Sequence, residues 1–240
     1  MKIIEIIKNK QNDWYGKRQP VIAFLGDSVT HGCFDVYVKN GTVQTYVNLK
    51  EGYHEKVKRI LEFLYPEVPV TIVNAGISGD RADAGIERLD RDVLSYKPDL
   101  VVVCYGLNDA MKESGGIELY RDSLAKIFQK IKNSGAEVIF MTPNLRSDKR
   151  ECNREDIIDR VTDEVIKNET DGWLQKYLDA AREVCKEVAV PVCDCNALWL
   201  LMQKGGVDIN VILSNKVNHP TEELQWLFAY ELVRMMFGGV

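Results

Sequence analysis

Ser28 follows the apolar run Val21-Ile22-Ala23-Phe24-Leu25 within Gly26-Asp27-Ser28. The run starts with β-branched residues and is ended by a glycine, which predicts a buried strand over 21–25. The carboxyl end of such a strand is where α/β proteins place reactive groups, and a serine there offers a nucleophilic hydroxyl. The competing reading is a turn whose Asp and Ser bond nearby backbone amides. Two later strand ends bear on the choice. Val70-Thr71-Ile72-Val73 runs into Asn74-Ala75-Gly76-Ile77-Ser78-Gly79, and Leu100-Val101-Val102-Val103-Cys104-Tyr105 runs into Gly106-Leu107-Asn108-Asp109. Near the C-terminus, His219-Pro220 precedes an amphipathic stretch. Acyl transfer needs a nucleophile, a base and donors for an oxyanion, and these residue types could supply all three. The G-x-S-x-G elbow of α/β-hydrolases is absent.

In these four blocks the sequence resembles the SGNH, or GDSL-type, esterase family. The blocks occur in the family's order from Gly26 to Pro220 and so span nearly the whole chain. The resemblance implies Ser28 as nucleophile and His219 as base. It implies an oxyanion hole made by the backbone amides of Ser28 and Gly79 and the side chain of Asn108. It also implies a flavodoxin-like three-layer α/β/α fold and a carboxylic ester hydrolase without cofactor or metal. The substrates it implies are small acyl esters, often acetyl groups on carbohydrates. Asp27 and Asp109 read as turn residues bonding backbone amides.

One position departs from the family. An Asp usually stands three residues before the His, and here Lys216 stands there. An ammonium has no acceptor for an imidazole N–H. Three outcomes are open: a Ser-His dyad with a neutral orienter, an acid from elsewhere such as Asp194 or Asp208, or an impaired site. The dyad reading is favoured, with Asn215, Asn218 or a backbone carbonyl fixing the tautomer. Beyond esterase, a silent carbohydrate- or acyl-binding protein and an acyltransferase remain alternatives. Of the three histidines, His31 reads as a helix-start or surface residue and His54 as solvent-facing. His219, before Pro220 and the acidic Thr221-Glu222-Glu223, is expected at a helix N-terminus, where the dipole favours neutral imidazole.

The elements needed to position these groups alternate. Strands are predicted at 21–25, 70–74, 99–105, 137–142 and 189–193. Helices are predicted at 52–64, 83–95, 117–133, 171–187 and 221–237. Five short apolar strands with intervening helices predict a five-stranded parallel sheet covered on both faces. Asn40-Gly41 between alternating runs predicts a hairpin inserted after the first strand, over 34–49. A lid wall, a homodimer contact and a decorative hairpin are all open readings of it. Segment 144–170 is charged and weakly patterned, and is expected at the pocket rim.

The chain has 240 residues and a net charge of −5. Residues 1–240 read as one domain, and at that length folding buries roughly three-quarters of the unfolded surface. An acidic balance argues against nucleic acid as the main partner. No stretch reaches membrane-spanning length. The N-terminal isoleucines are interrupted by charge, unlike a leader peptide. The six cysteines are scattered, and Cys193-Asp194-Cys195 has neither zinc-knuckle nor redox spacing. Cys104 and Cys185 read as buried thiols, and the whole as a reduced, cytoplasmic protein. No H-E-x-x-H, Cys/His cluster or Walker loop is present.

Overall fold

The computed structural model describes residues 1–151 and 154–238. Its elements run α1 (Lys2–Asn12), β1 (Val21–Gly26), α2 (Ser28–His31), β2 (Cys33–Lys39), β3 (Thr42–Val47), α3 (Tyr53–Leu64), β4 (Thr71–Gly76), α4 (Ala82–Asp92), β5 (Leu100–Cys104), α5 (Ile117–Asn133), β6 (Glu137–Met141), α6 (Asp156–Thr170), α7 (Trp173–Glu187), β7 (Val192–Cys193), α8 (Cys195–Lys204) and α9 (Gln225–Met236). Strands β4-β1-β5-β6-β7 form one sheet, in that order, and every pairing is parallel. Helices cover both faces: α3 packs on α9, while α4 packs on α5 and α5 on α7. The fold is a three-layer α/β/α sandwich with the flavodoxin-like strand order.

Burial on both faces explains why the strands are continuous apolar runs. All five residues of β5 are buried. Each such Val or Leu contributes roughly 1.5–3 kcal/mol on leaving water. The order places β1 between β4 and β5, at the point where the chain reverses its direction of winding. Ligand crevices form outside the carboxyl ends of strands at such points.

The hairpin β2–β3 forms a separate two-stranded sheet. Asn40 (φ 53°) and Gly41 (φ 71°) make its two-residue turn, the mirror-image turn whose twist matches the strands. Val36 faces Thr45 and Val38 faces Val43 across it.

Besides the single turn of α2, three helices lie outside the predicted set. In α1, Ile3, Ile4 and Ile7 are buried, and the charges that interrupt them form the solvent face of an amphipathic helix. In α6 the inward face carries Thr162 and Asn168 beside Ile158 and Val165, which dilutes the apolar period. In α8, Leu200 and Leu201 are exposed while Trp199 is buried, so apolar residues lie all round. The helix expected over 221–237 begins only at Gln225, so His219 is not in its first turn. Strand 189–193 shortens to Val192–Cys193. Helix 83–95 ends at Asp92 and is followed by a 3₁₀ turn at Leu94–Tyr96. Cys33, Cys104, Cys185, Cys193 and Cys195 are buried free thiols, and Cys152 lies outside the described residues. No helix among the described residues is long and apolar enough to cross a membrane.

Gly76, at the end of β4, lies against the start of the neighbouring block. A Cβ there would stand 2.2 Å from the His31 backbone nitrogen. Main chain cannot rotate away as a side chain does. Gly76→Ala is expected to lower the unfolding free energy by roughly 1–3 kcal/mol. Urea denaturation measures it; an unchanged midpoint would show that α2 shifts freely.

Candidate active site

The turn after β1 delivers Ser28 as the first residue of α2. Asp27 caps that helix, its carboxylate accepting from the Val29 N–H at 2.9 Å. As a first helical residue, Ser28 has no intrahelical acceptor for its own N–H. Its Oγ lies 2.9 Å from His219 Nε2, across 191 residues of sequence. Both residues are buried, at 4 % and 3 % exposure.

Gly79 follows β4 with φ 79°, and open space lies where its Cβ would stand. Asn108 follows β5. Its Nδ2 donates to the Asp80 carbonyl at 2.9 Å, which leaves a second amide hydrogen. Ser28, Gly79, Asn108 and His219 all line one cavity of about 260 Å³. Its remaining walls come from the hairpin (Val36, Val43, Thr45), from α6 (Ile158, Val161, Thr162, Val165) and from the loop before His219. Segments 34–49 and 144–170 therefore both contribute to the wall.

Burial dominates the electrostatics. It pushes His219 down to about 4, against the opposing pull of Asp35 and the Phe34 backbone. The imidazole is thus neutral near pH 7, as a base requires, through desolvation rather than a helix dipole. Burial also pushes Asp27 and Asp109 up to about 7. Asp109 accepts from the Ala82 N–H at 3.0 Å, tying the Asn108 turn to the start of α4.

The loop before His219 is held by Asn215. Its Oδ1 accepts from the backbone N–H of Val217 (3.1 Å), Asn218 (2.9 Å) and His219 (2.9 Å). Three donors on one oxygen leave no ambiguity about which end of the amide is which. The Nδ2 therefore faces His219 Nδ1, at 3.2 Å. Asn215 does reach the imidazole, but through its nitrogen, not the amide oxygen expected from sequence. An N–H donated to Nδ1 favours the tautomer with hydrogen on Nε2, which cannot take a proton from Ser28. The productive tautomer needs an acceptor at Nδ1. The backbone of Phe34, at the base of the hairpin, pulls the imidazole toward its charged form, as an acceptor would.

Lys216 turns away, its Nζ donating to the carbonyls of Asn210 and Val211 at 3.1 and 3.2 Å. It does not stand beside His219. Asp194 caps α8 and pairs with Arg182, and Asp208 pairs with Lys149; neither lines the cavity. Asn218 Oδ1 accepts from Asn215 rather than from the imidazole. His54 is buried, not solvent-facing: its Nε2 lies 2.9 Å from Asn74 Nδ2. His31 ends α2, half-buried, with Nδ1 3.9 Å from Cys33 Sγ.

Sequence reading missed Phe34, Asp35 and Arg154. Arg154 donates to Asp35 Oδ1 (3.1 Å), the Val36 carbonyl (2.8 Å) and the Asn215 carbonyl (3.3 Å). It clamps the hairpin to the His219 loop. Backbone carbonyls leave no mark in sequence, and no local pattern links Arg154 to the hairpin.

A model of the GDSL-like lipase/acylhydrolase family matches residues 24–227. The chain belongs to this family. An acetylxylan esterase of Geobacillus stearothermophilus is 30% identical over 131 residues, 51% of this chain and 58% of that protein. An arylesterase of Vibrio mimicus is 31% identical over 100 residues, 39% and 50% of the two chains. The chain thus spans about half the length of the curated relatives it matches. A lipase/acylhydrolase from Enterococcus faecalis superposes with TM-score 0.67 at 24% identity, covering 92% of this chain and 96% of that one. A two-domain esterase active on acetylated mannans gives TM-score 0.69 at 16% identity, covering 98% and 52%. At these identities the structural likeness establishes the fold alone.

Asn215→Asp keeps an oxygen for the three backbone donors and turns the other toward Nδ1. The variant should fix the productive tautomer and raise activity roughly ten- to a hundredfold. The wild-type acid limb reflects protonation of an imidazole depressed to about 4. Its kcat/KM should therefore rise at low pH and level off above about pH 5. A carboxylate beside the ring favours the charged form, so the variant's limb should move to higher pH. Equal or lower activity with an unmoved limb would refute the tautomer argument.

Proposed function

We propose that this protein is a serine esterase hydrolysing small acyl esters through an acyl-enzyme on Ser28. The observation that carries the reading is the 2.9 Å contact between Ser28 Oγ and His219 Nε2, opening into the cavity shared with Gly79 and Asn108.

With hydrogen on Nδ1, His219 Nε2 takes the Ser28 proton as Oγ attacks the ester carbonyl carbon. The carbonyl π-electrons move onto oxygen. The N–H groups of Ser28 and Gly79 and the Asn108 amide receive that charge. The imidazolium then protonates the departing alcohol as the C–O bond breaks. Water, activated by the same Nε2, attacks the acyl-enzyme and releases the acid and Ser28.

The cavity favours a short acyl group. Its volume of about 260 Å³ lies below the usual range for drug-sized ligands. Val36, Val43, Val161 and Val217 give it aliphatic walls. Similarity to an acetylxylan esterase and to an esterase active on acetylated mannans supports acetyl groups on a carbohydrate as the substrate. Transfer to another alcohol instead of water uses the same acyl-enzyme, and product analysis with added sugars separates the two.

Ser28→Ala should abolish hydrolysis of nitrophenyl acetate, and a fluorophosphonate should label Ser28 alone. Asn108→Ala should lower kcat about 10²- to 10³-fold with KM nearly unchanged, because the oxyanion exists only along the reaction path. Label on another serine, or an unaltered kcat for Asn108→Ala, would overturn the assignment. Binding without a nitrophenol burst would identify a silent binding protein.

A further inference from the structure

We propose that Arg88, acting with Asp80 and Tyr105, is a positioning residue for the oxyanion-binding groups. One buried guanidinium ties together the three strand ends that carry Ser28, Gly79 and Asn108.

Arg88 lies on α4 and is only 6 % exposed. Its Nη2 donates to the Gly26 carbonyl at 3.2 Å, two residues before Ser28. Its Nη1 donates to the Ala75 carbonyl at 2.7 Å, near the end of β4. Its Nε and Nη2 reach Asp80 Oδ2 at 2.9 and 2.5 Å. Asp80 is the residue after Gly79, and its backbone carbonyl accepts from Asn108 Nδ2 at 2.9 Å. The same carboxylate oxygen accepts from the Tyr105 hydroxyl at 2.8 Å. Tyr105 lies at the end of β5, three residues before Asn108. Its hydroxyl oxygen in turn accepts from Arg88 Nη2 at 2.9 Å, and its carbonyl accepts from Tyr120 at 3.0 Å. Burial pushes the Tyr105 phenol well up, so it remains a donor.

The cluster is more than sheet pairing requires. Its bonds reach the Gly26 and Ala75 carbonyls, among the last paired positions of β1 and β4, and Asp80 beyond them. A buried ion pair is seldom the most stable filling for such a space, since apolar residues of similar volume commonly do as well or better. What the fork adds is direction: several donors at fixed angles on three segments. The site has left room for it, because a Cβ on Gly85 of α4 would stand 2.5 Å from the Tyr105 hydroxyl. Donor placement matters at this point, since a displacement of about 1 Å at a reacting centre can cost about a hundredfold in rate.

This inference rests on the esterase reading above, and the test separates the two. Tyr105→Phe removes one hydroxyl and keeps the ring; Arg88→Lys keeps the charge and loses the fork. At a temperature well below each variant's melting point, Tyr105→Phe is expected to lower kcat about tenfold and Arg88→Lys about a hundredfold, with KM little changed. Affinity for a boronic acid that adds to Ser28 should fall in step with kcat/KM. Combined with Asn108→Ala, each effect should shrink, because the cluster acts through that donor. Variants that melt lower yet keep kcat and boronate affinity would show a purely structural cluster and overturn the inference. Effects that multiply fully with Asn108→Ala would do the same. Loss of turnover in Ser28→Ala alongside such results leaves the esterase reading standing; persistent turnover in Ser28→Ala removes that reading itself.

Discussion

Parallel pairing sets Gly26 of β1 opposite Gly76 of β4 and Cys104 of β5. Because the three strands end level, the segments that leave them meet at one edge of the sheet. Ser28, Gly79 and Asn108 are each within four residues of a strand end for that reason. Nothing local to any of these turns could bring them together. The register does so. The reactive groups therefore inherit their placement from the most rigid part of the molecule. His219 does not, since its loop must be held by other means.

That loop shows how an amide behaves where a carboxylate would be expected. An amide has one acceptor end and one donor end. Three backbone N–H groups capture the acceptor of Asn215, so only the donor remains for the imidazole. The side chain that builds the loop thus works against the tautomer needed for proton abstraction. From the hairpin, Asp35 and the Phe34 backbone pull the imidazole toward its charged form against the burial. The hairpin, a two-stranded sheet that is marginal by itself, thereby influences the charge state of this imidazole. Arg154, spanning Asp35, the Val36 carbonyl and the Asn215 carbonyl, holds the hairpin against the loop that carries His219.

Sequence exposed the parts governed by period and by strand ends. The five core strands, the Asn40-Gly41 hairpin and the contact of Ser28 with His219 all lie where apolar runs and motif order pointed. Less was legible where the apolar pattern is diluted. Thr162 and Asn168 on the inner face of α6 hid a helix that walls the cavity. Asn168 is buried because it bonds Arg146 and the Ala110 carbonyl at 2.7 and 2.9 Å. Such a polar contact between distant segments has no signature in either one. His54 is misplaced for the same reason: Asn74, on β4, meets its Nε2 inside the fold. The role of Asn215 was half legible. Spacing put it near the imidazole, but only the three competing backbone donors decide which end of the amide faces the ring.

The two walls of the cavity are attached to the reactive edge by arginines rather than by shared apolar core. Arg146, buried on the way into α6, donates to the Leu107 carbonyl at 3.2 Å, to Asn168 and to Glu169. It thereby joins α6 to the turn that carries Asn108. Arg154 does the corresponding work for the hairpin. A guanidinium holds several acceptors at defined angles, so each wall is set with respect to a backbone carbonyl and not merely packed nearby. The aliphatic lining between these anchors, Val36 and Val43 on one side and Ile158 and Val161 on the other, is free to vary in size without moving either anchor. Chemistry and selectivity are thus carried by different layers of the structure. The sheet edge places Ser28, Gly79 and Asn108, while the arginine-tethered α6 and hairpin form the walls around them.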